Sequence, residues 1–291
     1  MNQILARFTR QTWLSFPFGV QKMNFWRIKS PNYDSDYKDS YINGSLEHPY
    51  GLPGVECDVC GETWGGSRIL PIECPEFYRK RKNITSAWPI SRIEHESLQK
   101  ELMDTLQIDS INEPFIGLRP GDEFQPCFLD VPSRPRADFL WASLGSLIVS
   151  ERIKDIHVEC CSSDITVCPV NIRKVGKRDA KLPPPMPFTG EPEDIINEVP
   201  ITKNALEINS YFQILILKES GFPPGGTPRK TCSGCKRPDV DNSTRELRMT
   251  QEMWKGDKIF FLATTLHIVV TDEYKQLIER YRPTNIVFEK I

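Results

Sequence analysis

Two Cys-x-x-Cys pairs limit what this chain of 291 residues can fold into more than any other feature of its sequence. The pairs are Cys57 with Cys60 and Cys232 with Cys235. Two intervening residues allow both thiolates of a tight turn to face one metal ion, and two such turns complete a tetrahedral site of four thiolates. The pattern therefore predicts a structural zinc ion held by all four cysteines.

The two pairs are far apart in the sequence, so only the tertiary fold can bring them to one metal ion. A compact zinc ribbon separates its pairs by roughly 15–20 residues, whereas more than half of this chain lies between Cys60 and Cys232. The fold must therefore bring distant segments together at the metal. Two other interpretations stay open here. One is a dithiol redox motif, although neither pair lies between a predicted strand and helix, and the other is ordinary reduced cysteines.

The composition is that of a folded chain without a membrane span. Hydrophobic residues make up 39 % of the sequence and charged residues 26 %, and the net charge is -2. These values do not fit a disordered polymer, and no run of about 18 apolar residues is present. The 37 basic and 39 acidic residues give no overall charge for binding nucleic acid or an anionic membrane.

Residues 1–22 lack the continuous apolar core of a signal peptide, so we expect a cytoplasmic protein. Met23 begins a more regular, strand-like segment. We therefore expect residues 1–22 to be an N-terminal extension or a wrongly assigned start, followed by one domain over 23–291. In a reducing compartment, cysteines are more often metal ligands or buried thiols than disulfides.

A capping box predicts a helix over residues 91–107. Ser91 accepts from the backbone of the first turn, and Glu94 reaches back to the backbone N–H of Ser91. Apolar residues then recur near helical spacing and predict one buried stripe. The stripe consists of Ile93, Leu98, Leu102 and Leu106.

Two later segments resemble each other weakly. Residues 137–160 and 258–280 both have the rough order apolar turn, strand, capping residue and helix, with Ser150 and Thr271 as the caps. A single pair of short segments does not establish a repeat protein. Helices and strands without a regular βαβ order predict an α+β fold, with mixed helices and short strands around one core.

The sequence contains no motif of an enzyme active site. It has no Gly-x-Ser-x-Gly, phosphate-binding glycine-rich loop, Rossmann fingerprint or His-Glu-x-x-His. Four thiolates would also fill the coordination sphere of zinc and leave no open position for catalysis. We therefore expect a non-enzymatic protein. The remaining cysteines are expected to be small buried hydrophobes, namely Cys74, Cys127, Cys160, Cys161 and Cys168.

A basic cluster flanks the second cysteine pair and keeps an alternative function open. Its members are Arg229, Lys230, Lys236 and Arg237. Some zinc ribbons contact phosphates through such residues, so the alternative is a zinc-ribbon-like protein that binds nucleic acid. The overall charge balance favours a solvated surface instead, and we expect no nucleic-acid partner.

The run GLPGVECDVCGETWGG at 51–66 resembles the first signature of the double-CXXCG motif proteins, a family typified by myxobacteria. The second pair follows a Pro/Gly-rich stretch, as in that family, and the segment 257–291 resembles its C-terminal segment. Some members are immunity proteins of contact-delivered toxins. The resemblance implies a cytoplasmic, non-enzymatic protein that binds and neutralises a cognate protein toxin encoded nearby.

One position departs from the family pattern. Lys236 stands where the family has a glycine after the last cysteine. The thiolates remain, so the resemblance still implies metal binding. The substitution leads us to expect a different backbone geometry in the turn after Cys235.

Overall fold

A computed structural model describes most of the chain. The described residues are 23–31, 44–66, 68–81, 89–107, 117–131, 133–142, 145–175, 203–205, 211–222, 230–239, 248–263 and 265–291. The extension predicted for residues 1–22 lies outside these ranges, so it stays a prediction.

Helices and strands are mixed along the chain, as the α+β prediction requires. The strands are β1 (Phe25–Lys29), β2 (Ser45–Glu47), β3 (Val55–Glu56), β4 (Thr63–Trp64), β5 (Ile69–Glu73), β6 (Ile90–Ser91), β7 (Glu123–Gln125), β8 (Cys127–Val131), β9 (Phe139–Leu140), β10 (Leu147–Ser150), β11 (Ile165–Val175), β12 (Lys203–Ala205), β13 (Tyr211–Ile216), β14 (Lys230–Thr231), β15 (Pro238–Asp239), β16 (Ile259–Phe261), β17 (Ile268–Thr271) and β18 (Val287–Lys290). The helices are α1 (Glu76–Arg79), α2 (Arg92–Leu106), α3 (Glu151–Cys161), α4 (Asp272–Arg280) and a 3-10 turn at Gln251–Met253.

Two large sheets organise the described residues. One has four antiparallel strands in the order β16-β17-β1-β18. The other has seven strands along the path β2-β8-β11-β13-β10-β9, with β12 added to β11, and only β8 and β11 run parallel. Smaller sheets, β4-β3-β6, β5-β7 and β14-β15, carry the cysteine turns and the loops around them.

The weak resemblance between the two late segments corresponds to a repeated arrangement in space. In the first unit, β9 and β10 pair, α3 follows β10, and β11 follows α3. In the second unit, β16, β17, α4 and β18 have the same order. A fourth strand lies in each unit between the strand before the helix and the strand after it. That strand is β13 in the first unit and β1 in the second.

The pairing registers of β13 and β1 match. Tyr211 of β13 lies opposite Ser150, the residue that precedes α3, and Phe25 of β1 lies opposite Thr271, the residue that precedes α4. The first strand of the described chain therefore completes a sheet whose other three strands come last. This non-local pairing ties the start of the domain to its end.

Helix α2 begins as predicted, but one residue of the predicted buried stripe is exposed. Ser91 accepts from the Glu94 backbone N–H, and the Glu94 carboxylate accepts from the Ser91 backbone N–H, so the capping box is confirmed. The buried face consists of His95, Leu98 and Leu102. Ile93 is 68 % exposed because it precedes His95 by two positions and so lies on another face of the helix.

The two predicted caps of the later helices differ. The Thr271 hydroxyl accepts the Tyr274 backbone N–H at 3.4 Å and caps α4. Ser150 occupies the N-cap position of α3 but makes no capping hydrogen bond, since its hydroxyl donates to Asp138 at 2.9 Å instead. The side chain therefore links α3 to the loop before β9.

The largest cluster of buried apolar side chains joins the two units, with contributions from both large sheets and from α3 and α4. A polar pair lies within it. The Tyr274 hydroxyl donates to Nε2 of His157 at 2.6 Å, and Nδ1 of His157 donates to the carbonyl of Ile153 at 2.8 Å. Both ring nitrogens are satisfied when the imidazole is neutral, so the pair needs no charge.

This pair makes stability depend on pH. Burial lowers the pKa of His157 from its usual 6.5 to about 4, so the unfolded chain binds a proton that the folded chain does not. We expect the free energy of unfolding to fall as the pH falls from about 6.5 to about 4, by on the order of 3 kcal/mol from this residue. Urea unfolding at about pH 7 and about pH 5 measures the change. His157→Gln, which does not titrate, is expected to flatten this pH dependence. An unchanged slope would contradict the assignment.

Candidate metal centre

The first cysteine turn closes a short antiparallel hairpin. Strands β3 and β4 pair on either side of it. The backbone N–H of Cys57 donates to Glu62 at 3.0 Å, and the N–H of Gly61 donates to the carbonyl of Cys57 at 2.8 Å. Gly61 has φ +72°, a left-handed conformation that glycine adopts without strain. We call residues 57–61 the first knuckle.

The second cysteine turn repeats this construction. Strands β14 and β15 flank it, the N–H of Cys232 donates to Arg237 at 3.0 Å, and the N–H of Lys236 donates to Cys232 at 3.1 Å. Lys236 has φ +63°. We call residues 232–236 the second knuckle. The expectation of a different backbone geometry here is wrong, because Lys236 adopts the left-handed conformation that Gly61 adopts.

Lysine at this position costs stability that glycine would not. A side chain in the left-handed conformation destabilises the backbone by roughly 1–2 kcal/mol. Nζ of Lys236 offsets part of this by donating to the carbonyl of Ser233 at 2.8 Å. We expect Lys236→Gly to raise the free energy of unfolding by about 1 kcal/mol, measured by urea denaturation. Lys236→Ala, which keeps the strain and loses the hydrogen bond, is the control and is expected to lower it.

The two knuckles meet, so the predicted ligands form one cluster. The four Sγ atoms of Cys57, Cys60, Cys232 and Cys235 lie within 4.8 Å of one another. The distance is 3.8 Å from Cys57 to Cys232 and 3.8 Å from Cys60 to Cys235. All four are free thiols. Zinc with Zn–S distances of about 2.3 Å sets tetrahedral sulfur atoms about 3.8 Å apart, so the spacing fits a metal ion.

The electrostatics of the cluster also fit a cation. Burial disfavours the thiolate of Cys57. The backbone N–H groups of Cys60 and Val59 outweigh this effect of burial, and the pKa of Cys57 is lowered to about 6. Although the N–H of Glu62 favours its thiolate, burial and the neighbouring thiols raise the pKa of Cys60 to about 12. Without a cation, the four sulfurs therefore do not all ionise near neutral pH. A divalent ion compensates the repulsion between thiolates and permits all four to ionise.

Contacts outside the sulfur atoms also join the knuckles. Arg237, beyond the second knuckle, pairs with Glu62, beyond the first, at 2.7 Å. A Cβ at Gly234 would lie 2.7 Å from a methyl carbon of Val59, so only glycine permits this close approach. Arg92 of α2 pairs with Asp58 at 2.6 Å and holds the first knuckle against the helix.

Trp64 also belongs to the site, although the sequence analysis did not predict that it lies beside the second cysteine pair. Its indole Nε1 is buried and makes no hydrogen bond of ordinary length. It lies near the sulfur of Cys235, where it favours the thiolate against the burial that raises the pKa of this cysteine. Trp64 belongs to the Trp-Gly-Gly run of the first signature. Its place beside the second pair could be anticipated only once the two pairs were assumed to meet.

The comparisons add no relative. No protein-family model matches this chain, and no curated protein matches it. In the described part of the chain, no helix has both the length and the apolar character needed to cross a membrane.

The other cysteines lie away from the cluster. Among the described residues, no second group of metal-ligating side chains accompanies it. Four of the five are buried, as predicted for small hydrophobes: Cys74, Cys127, Cys161 and Cys168. Cys160 is only half-buried, and its sulfur lies 2.8 Å from that of Cys161 at the end of α3.

Proposed function

We propose that the cysteine cluster holds a structural zinc ion that joins the two knuckles. The observation that carries this proposal is the 3.8 Å spacing between sulfurs of opposite knuckles, which lie 175 residues apart in the chain. Four sulfur ligands of this geometry favour zinc among the common metals, since zinc prefers tetrahedral thiolate sites. The ion has a structural role because four protein ligands leave it no position for a substrate.

We propose further that the protein is an immunity protein that binds and neutralises a cognate toxin encoded nearby. Support comes from the likeness of residues 51–66 to the double-CXXCG motif proteins. A rigid metal-joined body suits inhibitory binding, because a preformed surface loses little conformational entropy on association. Such a protein acts in the cytoplasm by binding and needs no catalytic residue.

Nucleic-acid binding through the second knuckle is the weaker alternative. Two of the basic residues that suggested it are already engaged. Arg237 pairs with Glu62, and Nζ of Lys236 donates to a backbone carbonyl of its own turn. Cations held in internal contacts are less available for phosphates.

Co-purification tests the proposed function. The protein is tagged and expressed with the polypeptide encoded next to its gene, and complex formation, growth and zinc content are measured. We expect a stable complex, restored growth and about one zinc per chain. A chain with Cys57→Ser and Cys232→Ser is the matched control and is expected to lose both zinc and protection. Full growth inhibition without a complex would set the function aside for that pair, and salt-sensitive binding to DNA or RNA would favour the alternative.

A further inference from the structure

A large cavity lies between the first part of the domain and the seven-stranded sheet. It has a volume of about 1240 Å³. Helix α2 and the loop 117–122 form one wall, the end of β13 and residues 217–219 form the opposite wall, and residues 234–236 of the second knuckle lie at the rim. This volume exceeds the range of about 300–1,000 Å³ that is typical of small-molecule sites.

Two buried side chains on its walls each have one polar atom without a hydrogen-bond partner among the described residues. Nε2 of His95, a residue only 3 % exposed, has no hydrogen-bond partner in the described part of the chain. Gln213 is 1 % exposed, and its Oε1 lies 3.3 Å from Nε2 of His48. Nε2 of Gln125 also donates to this Oε1 at 3.5 Å, whereas the amide Nε2 of Gln213 has no partner in the part of the chain that the structure describes. Buried polar groups are nearly always hydrogen-bonded, so two such groups on one cavity call for a bound polar molecule.

The loop that forms part of this cavity supplies an unpaired cation. Arg68 binds the buried carboxylate of Asp122 and donates to the carbonyl of Gly117 at 2.7 Å, so its charge is engaged. The neighbouring Arg119 makes no hydrogen bond or ion pair through its guanidinium within the described residues. Among the described residues, Asp122 forms an ion pair with Arg68 only, although its charge also favours the charged form of Arg119.

The other charges on the cavity do not cancel this cation. One of the acidic residues, Glu96, is already ion-paired with Arg92, and Glu123 lies 3.1 Å from Nδ1 of His48. Burial, and then the nearby Arg68, lower the pKa of Arg119. The charges of Asp122 and Glu219 offset part of this shift. Among the described residues of the lining, five side chains are basic and four are acidic. The remaining lining is largely apolar, including Ile214 and Leu266.

We propose that this cavity binds a small organic oxyanion, a phosphate or carboxylate compound with a neutral polar part. The oxyanion binds Arg119, and the neutral part accepts from the amide of Gln213 and hydrogen-bonds Nε2 of His95. The apolar wall covers the rest of the molecule. The second knuckle borders this cavity at its rim, but the proposed contacts are made by other residues and do not depend on toxin binding.

Calorimetric titration of the whole zinc-loaded protein tests the proposal with three probes. AMP carries a phosphate, citrate carries carboxylates, and adenosine carries no anion. We expect AMP, citrate or both to bind with Kd below about 1 mM, and adenosine at least tenfold more weakly. Binding of AMP alone identifies a phosphate site, and binding of citrate alone a carboxylate site. If neither binds below about 1 mM, the proposal is wrong.

Variants separate the two parts of the site. Arg119→Gln is expected to raise the Kd of the probe at least about tenfold, which corresponds to about 1.4 kcal/mol, because the anion loses the cation that binds it. Arg248→Gln, at an exposed position off the cavity, is the matched control and is expected to change nothing. Equal binding by Arg119→Gln and wild type would overturn the oxyanion assignment. Gln213→Met is checked for folding by circular dichroism and is expected to raise the Kd of the probe. An unchanged Kd would overturn the proposed hydrogen bond between the Gln213 amide and the neutral part of the ligand.

Discussion

Cys232→Ser is expected to release the metal and to unfold most of the protein near room temperature. Loss of one of four thiolates opens the site, and a structural zinc ion contributes on the order of 10 kcal/mol to folding. That energy is comparable to the whole stability of a typical domain, about 5–15 kcal/mol. Zinc content by elemental analysis and thermal unfolding by circular dichroism measure the two effects. Cys57→Ser, in the other knuckle, is expected to give the same result.

A cysteine outside the cluster provides the matched control. Cys168 is buried in β11 and is free, so Cys168→Ala removes a thiol without removing a ligand. We expect this variant to keep its zinc and to lose only the small stability of one buried sulfur. A double variant of Cys57 and Cys232 that stays folded with an unchanged melting temperature would contradict the structural role.

A chain that begins at residue 32 is expected not to fold, although it keeps both knuckles and every helix that the structure describes. Without β1, the strands β17 and β18 lose their shared partner. Phe25 and Ile28, which are 2 % and 3 % exposed, no longer fill the core. Loss of these two large side chains alone costs about 5–10 kcal/mol. Cooperative thermal unfolding and resistance to a protease measure the loss.

Two companion experiments isolate the strand. A chain that begins at residue 23 keeps β1 and is expected to fold like the whole protein, since residues 1–22 are predicted to be an extension that precedes the domain. The peptide 23–31 added to the shorter chain is expected to restore protease resistance by pairing between β17 and β18. Cooperative unfolding of the shorter chain at the original temperature would contradict the importance of β1.

Features coded by neighbouring residues were predictable from the sequence. The capping box of α2 needs only Ser91 and Glu94, and the chemistry of a Cys-x-x-Cys turn needs only its own loop. The meeting of the two knuckles was predicted from chemistry, because a pair of cysteines offers only half of a tetrahedral site. The identity of the metal and the binding of a toxin stay proposals.

Features set by tertiary contacts were not predictable. Ile93 fits a helical stripe in sequence, but the packing of α2 buries the face with His95 instead. The glycine-like turn at Lys236 is imposed by the hairpin and the cluster around it, which override the preference of lysine. The pairing of β1 with β17 and β18 joins residues more than two hundred positions apart, and strand sequences carry little information about distant partners.

The place of β1 has a consequence for the growing polypeptide. As the chain leaves the ribosome, β1 is made long before β17 and β18, so its hydrogen-bonding edges stay open through most of translation. Unpaired strand edges are sites of aggregation, and pairings between distant residues form slowly. The final sheet closes only when the last strand arrives, where the N–H of Ile291 donates to the carbonyl of Phe25 at 3.1 Å. A ribosome that stalls before β17 would therefore leave a chain in which β1 has neither of its two partner strands.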